Sequence, residues 1–123
     1  MEKKILVLDS DEEQGRQFCT MLETGQYPSV SVQTLAETKR CLEENDFIIA
    51  IIDIDTVSVT NQIIREMTIK HPGIYFLCLS ERPFHPELED AICYHIYACI
   101  NKPVDSDELF YFLRSIYEEE TGT

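Results

Sequence analysis

The chain has 123 residues, enough for one domain with one buried core, and its 44% apolar and 27% charged composition is that of a folded globular protein. Its 23 acidic and 10 basic residues leave a formal net charge of −13, which argues against direct binding of nucleic acid or of an anionic lipid surface, since both need clustered Lys and Arg. No apolar run approaches the roughly 20 residues that cross a bilayer, and the short run from Ile5 to Leu8 cannot serve as a signal-peptide core, so a cytoplasmic location is expected.

Residues 3–8 (KKILVL) read as a short apolar strand. Asp11 stands where a helix N-cap belongs, with Glu12 and Glu13 suited to the positive end of the helix dipole. In that helix Phe18, Met21 and Leu22 recur at i, i+3, i+4 and predict one buried stripe. The segment from Gly25 to Ser29 is a break, and Val30 and Val32 alternate in a second, weaker strand. A short helix over Leu35–Glu44 turns Leu35, Cys41 and Leu42 inward.

Phe47 to Ile52 (FIIAII) is continuously apolar, as a central parallel strand buried on both faces requires, and it leads into Asp53. A third helix is expected from about Val59 to Lys70 around Ile63, Ile64 and Met67, stopped by His71-Pro72-Gly73. Ile74 to Leu79 is another apolar strand leading into Ser80. Pro83 and Pro86 bracket the next helix start, and that helix is expected to run to about His95. Tyr97 to Ile100 forms the last strand, followed by Asn101-Lys102-Pro103. Asp105 caps a final helix built on Leu109, Phe112, Leu113, Ile116 and Tyr117, and the stretch from Glu118 to Thr123 reads as a frayed tail or the start of a linker. The domain is thus placed at 1–119.

Five alternating strand–helix units predict right-handed crossovers and a five-stranded parallel sheet covered on both faces, an α/β three-layer sandwich of the (βα)5 flavodoxin-like type with strand order 2-1-3-4-5. In such open sheets chemistry collects at the carboxyl ends of the strands. Those ends carry Asp9 and Ser10, Asp53, Ser80 and Lys102. Two carboxylates brought close together need a cation or a proton between them, and an oxygen-seeking divalent ion, Mg²⁺, is the expected cofactor. A phosphate cradle of backbone N–H groups would need glycines at the first turn, which here is Leu8-Asp9-Ser10-Asp11, so nucleotide binding is excluded.

The five cysteines (Cys19, Cys41, Cys78, Cys93, Cys99) form no CxxC pair and no zinc-type cluster, so reduced thiols acting as small core residues are expected. The three histidines (His71, His85, His95) fall beside helix boundaries. None stands with a nucleophile at a strand end, which argues against a hydrolase.

ILVLDSDEE at 5–13, FIIAIID at 47–53, FLCLSE at 76–81 and INKP at 100–103 occur in an order that resembles the response-regulator receiver domains of two-component signalling. The resemblance implies that Asp53 is the phosphoacceptor, attacking the phosphorus of a phosphohistidine on a histidine kinase or phosphotransfer protein. It implies that Asp9 and Asp53 hold Mg²⁺, with the backbone carbonyl of Asp55 as a further ligand. Lys102 is implied to contact the phosphoryl group, with a cis peptide before Pro103. Ser80 is implied to hydrogen-bond a phosphoryl oxygen and draw its loop inward.

Several positions depart from that pattern. Ser10 replaces the second acid and is a weak, neutral ligand, so metal affinity should fall; Asp11 is the residue best placed to compensate, if its capping role leaves it free. Glu81 follows Ser80 where a small residue leaves the site open. Cys99 stands where the switch aromatic belongs, and the loop after Asp53 (IDTVSVTN) lacks the usual proline and glycine. These departures support an alternative function, a pseudo-receiver that keeps the fold as a phosphorylation-independent interaction module. For either reading, self-association or docking of an output domain is expected through the last two helices, where Phe110 or Tyr111 must face partly outward.

Overall fold

The computed structural model describes residues 3–121 apart from 45 and 84. Its elements are β1 (Lys4–Leu8), α1 (Glu12–Thr24), β2 (Ser29–Val32), α2 (Leu35–Glu44), β3 (Phe47–Asp53), α3 (Asn61–Lys70), β4 (Tyr75–Ser80), α4 (Glu89–Tyr94), β5 (Ile96–Asn101) and α5 (Ser106–Thr121), with one 3-10 turn at Pro86–Leu88 before α4. All strand pairs are parallel and the sheet order is β2-β1-β3-β4-β5, the expected flavodoxin-like arrangement.

β3 lies at the centre and is buried along its whole length, because both faces of a doubly covered parallel sheet are interior. Side chains alternate between the faces. Leu6, Ala50, Ile52, Phe76 and Cys78 pack on one side against Leu42 of α2, Ile64 and Met67 of α3 and Ala91 of α4. Ile5, Ile49, Ile51, Leu77 and Ile100 pack on the other against Leu22 of α1 and Leu109, Leu113 and Ile116 of α5. These are the three layers.

Several element ends differ from expectation for local reasons. α3 starts at Asn61 and not at Val59, because Thr60 takes the N-cap and its Oγ1 accepts the N–H of Ile63 at 3.1 Å. The helix expected between Pro83 and His95 is reduced to the 3-10 turn and six residues of α4. α5 continues through Thr121, so the stretch from Glu118 is helical as far as it is described, and residues 122 and 123 lie outside the described residues. Its last turns are tied down by the Tyr117 hydroxyl, which donates to the Lys3 carbonyl at 3.1 Å. At the α1–β2 break the left-handed residue is Gln26 (φ 68°), not Gly25. Gly25 is there for space: a Cβ on it would stand 3.0 Å from the ring of Phe110. That contact settles which aromatic of α5 turns outward, since Phe110 is half-buried and Tyr111 is 60% exposed.

Candidate functional site

Parallel register carries four polar side chains to one edge. Leu8 pairs with Ile52, which brings Asp9 level with Asp53, and Ser80 pairs with Asn101, the residue before Lys102. Asp9, Asp53 and Ser80 are 2%, 1% and 3% exposed, so each polar group must find partners inside the protein. The Lys102–Pro103 peptide is cis, as expected.

Both carboxylates accept hydrogen bonds from the chain's own groups. Asp9 Oδ1 accepts the N–H of Asp11 at 2.9 Å and the hydroxyl of Thr56 at 3.1 Å. Asp53 Oδ1 accepts the N–H groups of Asp55 at 3.0 Å and Thr56 at 3.2 Å. The remaining oxygens share one donor: Gln14 Nε2 reaches Asp9 Oδ2 at 2.5 Å and Asp53 Oδ2 at 2.9 Å. A side-chain amide nitrogen carries two hydrogens, and both are used here. The reversed amide would set its carbonyl oxygen against two carboxylates, so the network fixes its orientation. Lys102 Nζ completes the cluster, 2.5 Å from Asp53 Oδ2.

Gln14 went unremarked in the sequence because it is neutral. Its signal was position: it is the third residue after the Asp11 cap, whose Oδ1 accepts the Gln14 N–H at 3.1 Å, in the turn of α1 that overhangs the strand ends. Thr56 was missed likewise, inside a loop without periodicity.

Ser10 is exposed and engaged elsewhere, its hydroxyl donating to the Thr56 carbonyl at 3.0 Å and its N–H to Thr56 Oγ1 at 3.2 Å. Asp11 serves as the helix cap. Mg²⁺ takes about six oxygens in octahedral array, several of them waters and as few as one or two from carboxylates. Here the space between Asp9 and Asp53 faces amide hydrogens, and among the described residues no three His, Cys, Asp or Glu side chains stand where they could share an ion. In this arrangement the Gln14 amide stands between the two carboxylates that would hold the ion.

Asp55 joins the site through its side chain. Its Oδ1 accepts the Ser80 hydroxyl at 2.8 Å, its Oδ2 accepts the backbone N–H of Glu81 at 2.8 Å, and Lys102 Nζ lies 3.2 Å from Oδ2. Three converging donors make an anion site, and the chain's own carboxylate fills it. Burial works to raise the pKa of Asp55, but the Ser80 hydroxyl, the Glu81 N–H and the Lys102 ammonium outweigh it and hold the group below the usual aspartate range. Lys102 is the mirror case: burial would lower it, yet its bonds to Asp53 and Asp55 raise it above an ordinary lysine.

Glu81 is exposed, and with Gln14 and Lys102 it borders a cavity of about 470 Å³ whose apolar wall includes Phe18, Met21 and Val104. Cys99 is exposed on β5. The aromatic two residues earlier, Tyr97, packs edge-on against Tyr75 and Phe112, so no aromatic takes the Cys99 position.

No family model matches the sequence, and no curated protein matches it either. Solved structures do. A response regulator receiver domain protein from Methanospirillum hungatei is similar with a TM-score of 0.84 at 20% identity, over 100% of both chains. The signal receiver domain of an HD domain-containing protein from Pseudomonas fluorescens also reaches 0.84, at 19% identity, over 98% of this chain and 90% of its own. A response regulator receiver domain protein from Clostridium thermocellum gives 0.80 at 21% identity, over 97% of each chain. The chain therefore has the receiver-domain fold.

Proposed function

We propose that this domain is a receiver-fold interaction module, of the pseudo-receiver kind, that engages its partners without phosphorylation of Asp53. The observation that carries this reading is the Gln14 amide hydrogen-bonded to both Asp9 and Asp53. In the receiver pattern a metal joins those two carboxylates; here the Gln14 amide bridges them and the Lys102 ammonium supplies the positive charge. The carboxylate of Asp55, lying on Ser80, Glu81 and Lys102, supports the same reading from the anion side.

The residues of this edge then act as a fixed brace. Gln14 ties α1 to the ends of β1 and β3. Asp55 ties the loop after β3 to the ends of β4 and β5. Partner docking is assigned to α4, β5 and α5, where Tyr94, Tyr97 and Tyr111 are exposed by 76%, 41% and 60%. The net charge of −13 favours a partner with a basic rim over a second copy of this chain.

One observation favours the second reading, in which Asp53 accepts a phosphoryl group from a histidine kinase with Mg²⁺: Lys102 lies directly on Asp53 with Ser80 at the neighbouring strand end. In that chemistry an Asp53 oxygen attacks phosphorus and the kinase imidazole leaves, with Lys102 balancing the charge of the transferred group. Asp53 would first have to lose Gln14, and Asp55 would have to leave Ser80.

Incubation with phosphoramidate and millimolar Mg²⁺ followed by intact-mass measurement separates the two. The interaction-module reading expects no one-phosphate adduct. An adduct that vanishes in Asp53→Asn establishes the second reading.

A further inference from the structure

Two thiols face each other behind the site. β4 and β5 run in register with Cys78 directly opposite Cys99. Neighbouring strands are about 4.8 Å apart, inside the roughly 4.4–6.8 Å separating the Cα atoms of a disulfide. Both side chains lie on the same face of the sheet, since their strand neighbours Leu77 and Leu79 on β4 and Ala98 and Ile100 on β5 pack on the opposite one. Their surroundings differ. Cys78 is fully buried beside Ala91, whereas Cys99 is exposed at a cavity of about 360 Å³ bordered by Pro83, His85, Ile92 and Cys93. His85 is 6% exposed, and its Nδ1 has no hydrogen-bond partner among the described residues.

We propose that Cys99 and Cys78 form a peroxide-sensitive thiol pair, with Cys99 as the attacking thiolate and Cys78 as the resolving thiol. The S–H of Cys78 stabilises negative charge on Cys99 and holds that thiol below the usual range, while the same bond together with burial pushes Cys78 up. The order of reaction follows. The Cys99 thiolate attacks one oxygen of a hydroperoxide and the O–O bond breaks. The other oxygen departs as alkoxide or hydroxide, and Cys99 becomes a sulfenic acid. Cys99 then no longer carries the charge that held the Cys78 proton. Cys78 loses that proton and its sulfur attacks Cys99, the S–O bond breaks, and the departing hydroxide leaves as water. One hydroperoxide and two thiols give one disulfide, one alcohol and one water.

The bridge would join β4 and β5 two residues before Ser80 and three before Lys102, so it would fasten the strands that present those groups. This inference does not depend on whether Asp53 is phosphorylated.

The test treats the fully reduced chain with one equivalent of hydrogen peroxide, blocks remaining thiols with iodoacetamide, and maps unreduced peptides by mass spectrometry. Expected is a Cys78–Cys99 linked peptide, removed by dithiothreitol, absent in Cys99→Ser and retained in Cys93→Ser. Cys99→Ser changes an exposed side chain, so it leaves the fold intact. A link between Cys93 and Cys99, oxidation of Cys99 to sulfinate with Cys78 still alkylated, or no reaction at Cys99 would each overturn the proposal.

Discussion

Ser80 donates its hydroxyl proton to Asp55 at 2.8 Å, across 25 residues of sequence, so the hydroxyl at the end of β4 is already bonded to an anion belonging to the chain. The N–H of Glu81 and the ammonium of Lys102 reach the other oxygen of that carboxylate. Because these donors lower the pKa of Asp55 in the folded state, the unfolded chain takes up this proton first as pH falls. The Asp55 contribution to stability is therefore present above the ordinary aspartate value of about 3.9 and lost as pH drops through the lower folded value. Urea denaturation between pH 6 and pH 3 should show that loss in the natural chain. In Asp55→Asn this part of the acid dependence should be missing, whatever the other carboxylates contribute.

Lys102 carries the opposite sign. Its folded pKa is raised by Asp53 and Asp55, so its contribution is present below the ordinary lysine value of about 10.4 and lost as pH rises through the folded value. Replacing it with Met leaves Asp53, 2% exposed at its side chain, without its cation. A loss of about 3–5 kcal/mol at pH 7 is expected. In Asp53→Asn the same replacement should cost much less, and a double-mutant cycle by urea denaturation reads the difference.

Gln14→Ala removes the donor between two buried carboxylates and should cost about 1–3 kcal/mol of stability. It should also create a dependence the natural chain lacks. With the amide gone, two like charges face each other, and millimolar Mg²⁺ should raise the melting temperature of the variant while leaving that of the natural chain unchanged. Thermal unfolding with and without EDTA measures this.

Thr56→Val keeps the shape of the side chain but leaves Asp9 one donor short and removes the acceptor for the Ser10 N–H. A cost of about 1–2 kcal/mol is expected by chemical denaturation. The backbone bond from Thr56 N to Asp53 is unaffected by the change, so the loop should keep its path.

How much of this could be read from the residues depends on what kind of signal each feature leaves. The central strand was legible because a doubly covered parallel strand must be apolar throughout, and FIIAII is. Strand ends follow from strand positions, so Asp9, Asp53, Ser80 and Lys102 were placed at one edge before any geometry was known. The start of α3 was set two residues early because apolar Val59 resembles helix stripe, while the competing Thr60 cap is one local hydrogen bond. Asp55 was expected to contribute its carbonyl, and its carboxylate was overlooked because side-chain direction in an irregular loop has no period. Gln14 left the faintest trace, since nothing in a neutral amide announces that two anions will converge on it.

The central claim is that the chain's own groups fill this site, Gln14 between the carboxylates and Asp55 on the donors of Ser80, Glu81 and Lys102. A nitrogen–proton correlation NMR titration with Mg²⁺ and beryllofluoride tests it most directly, through the Gln14 side-chain amide and the Glu81 backbone N–H. Both resonances are expected to stay in place at millimolar concentrations of each. A saturable shift of both signals would contradict it, because ion and phosphoryl mimic would then have displaced the two side chains together.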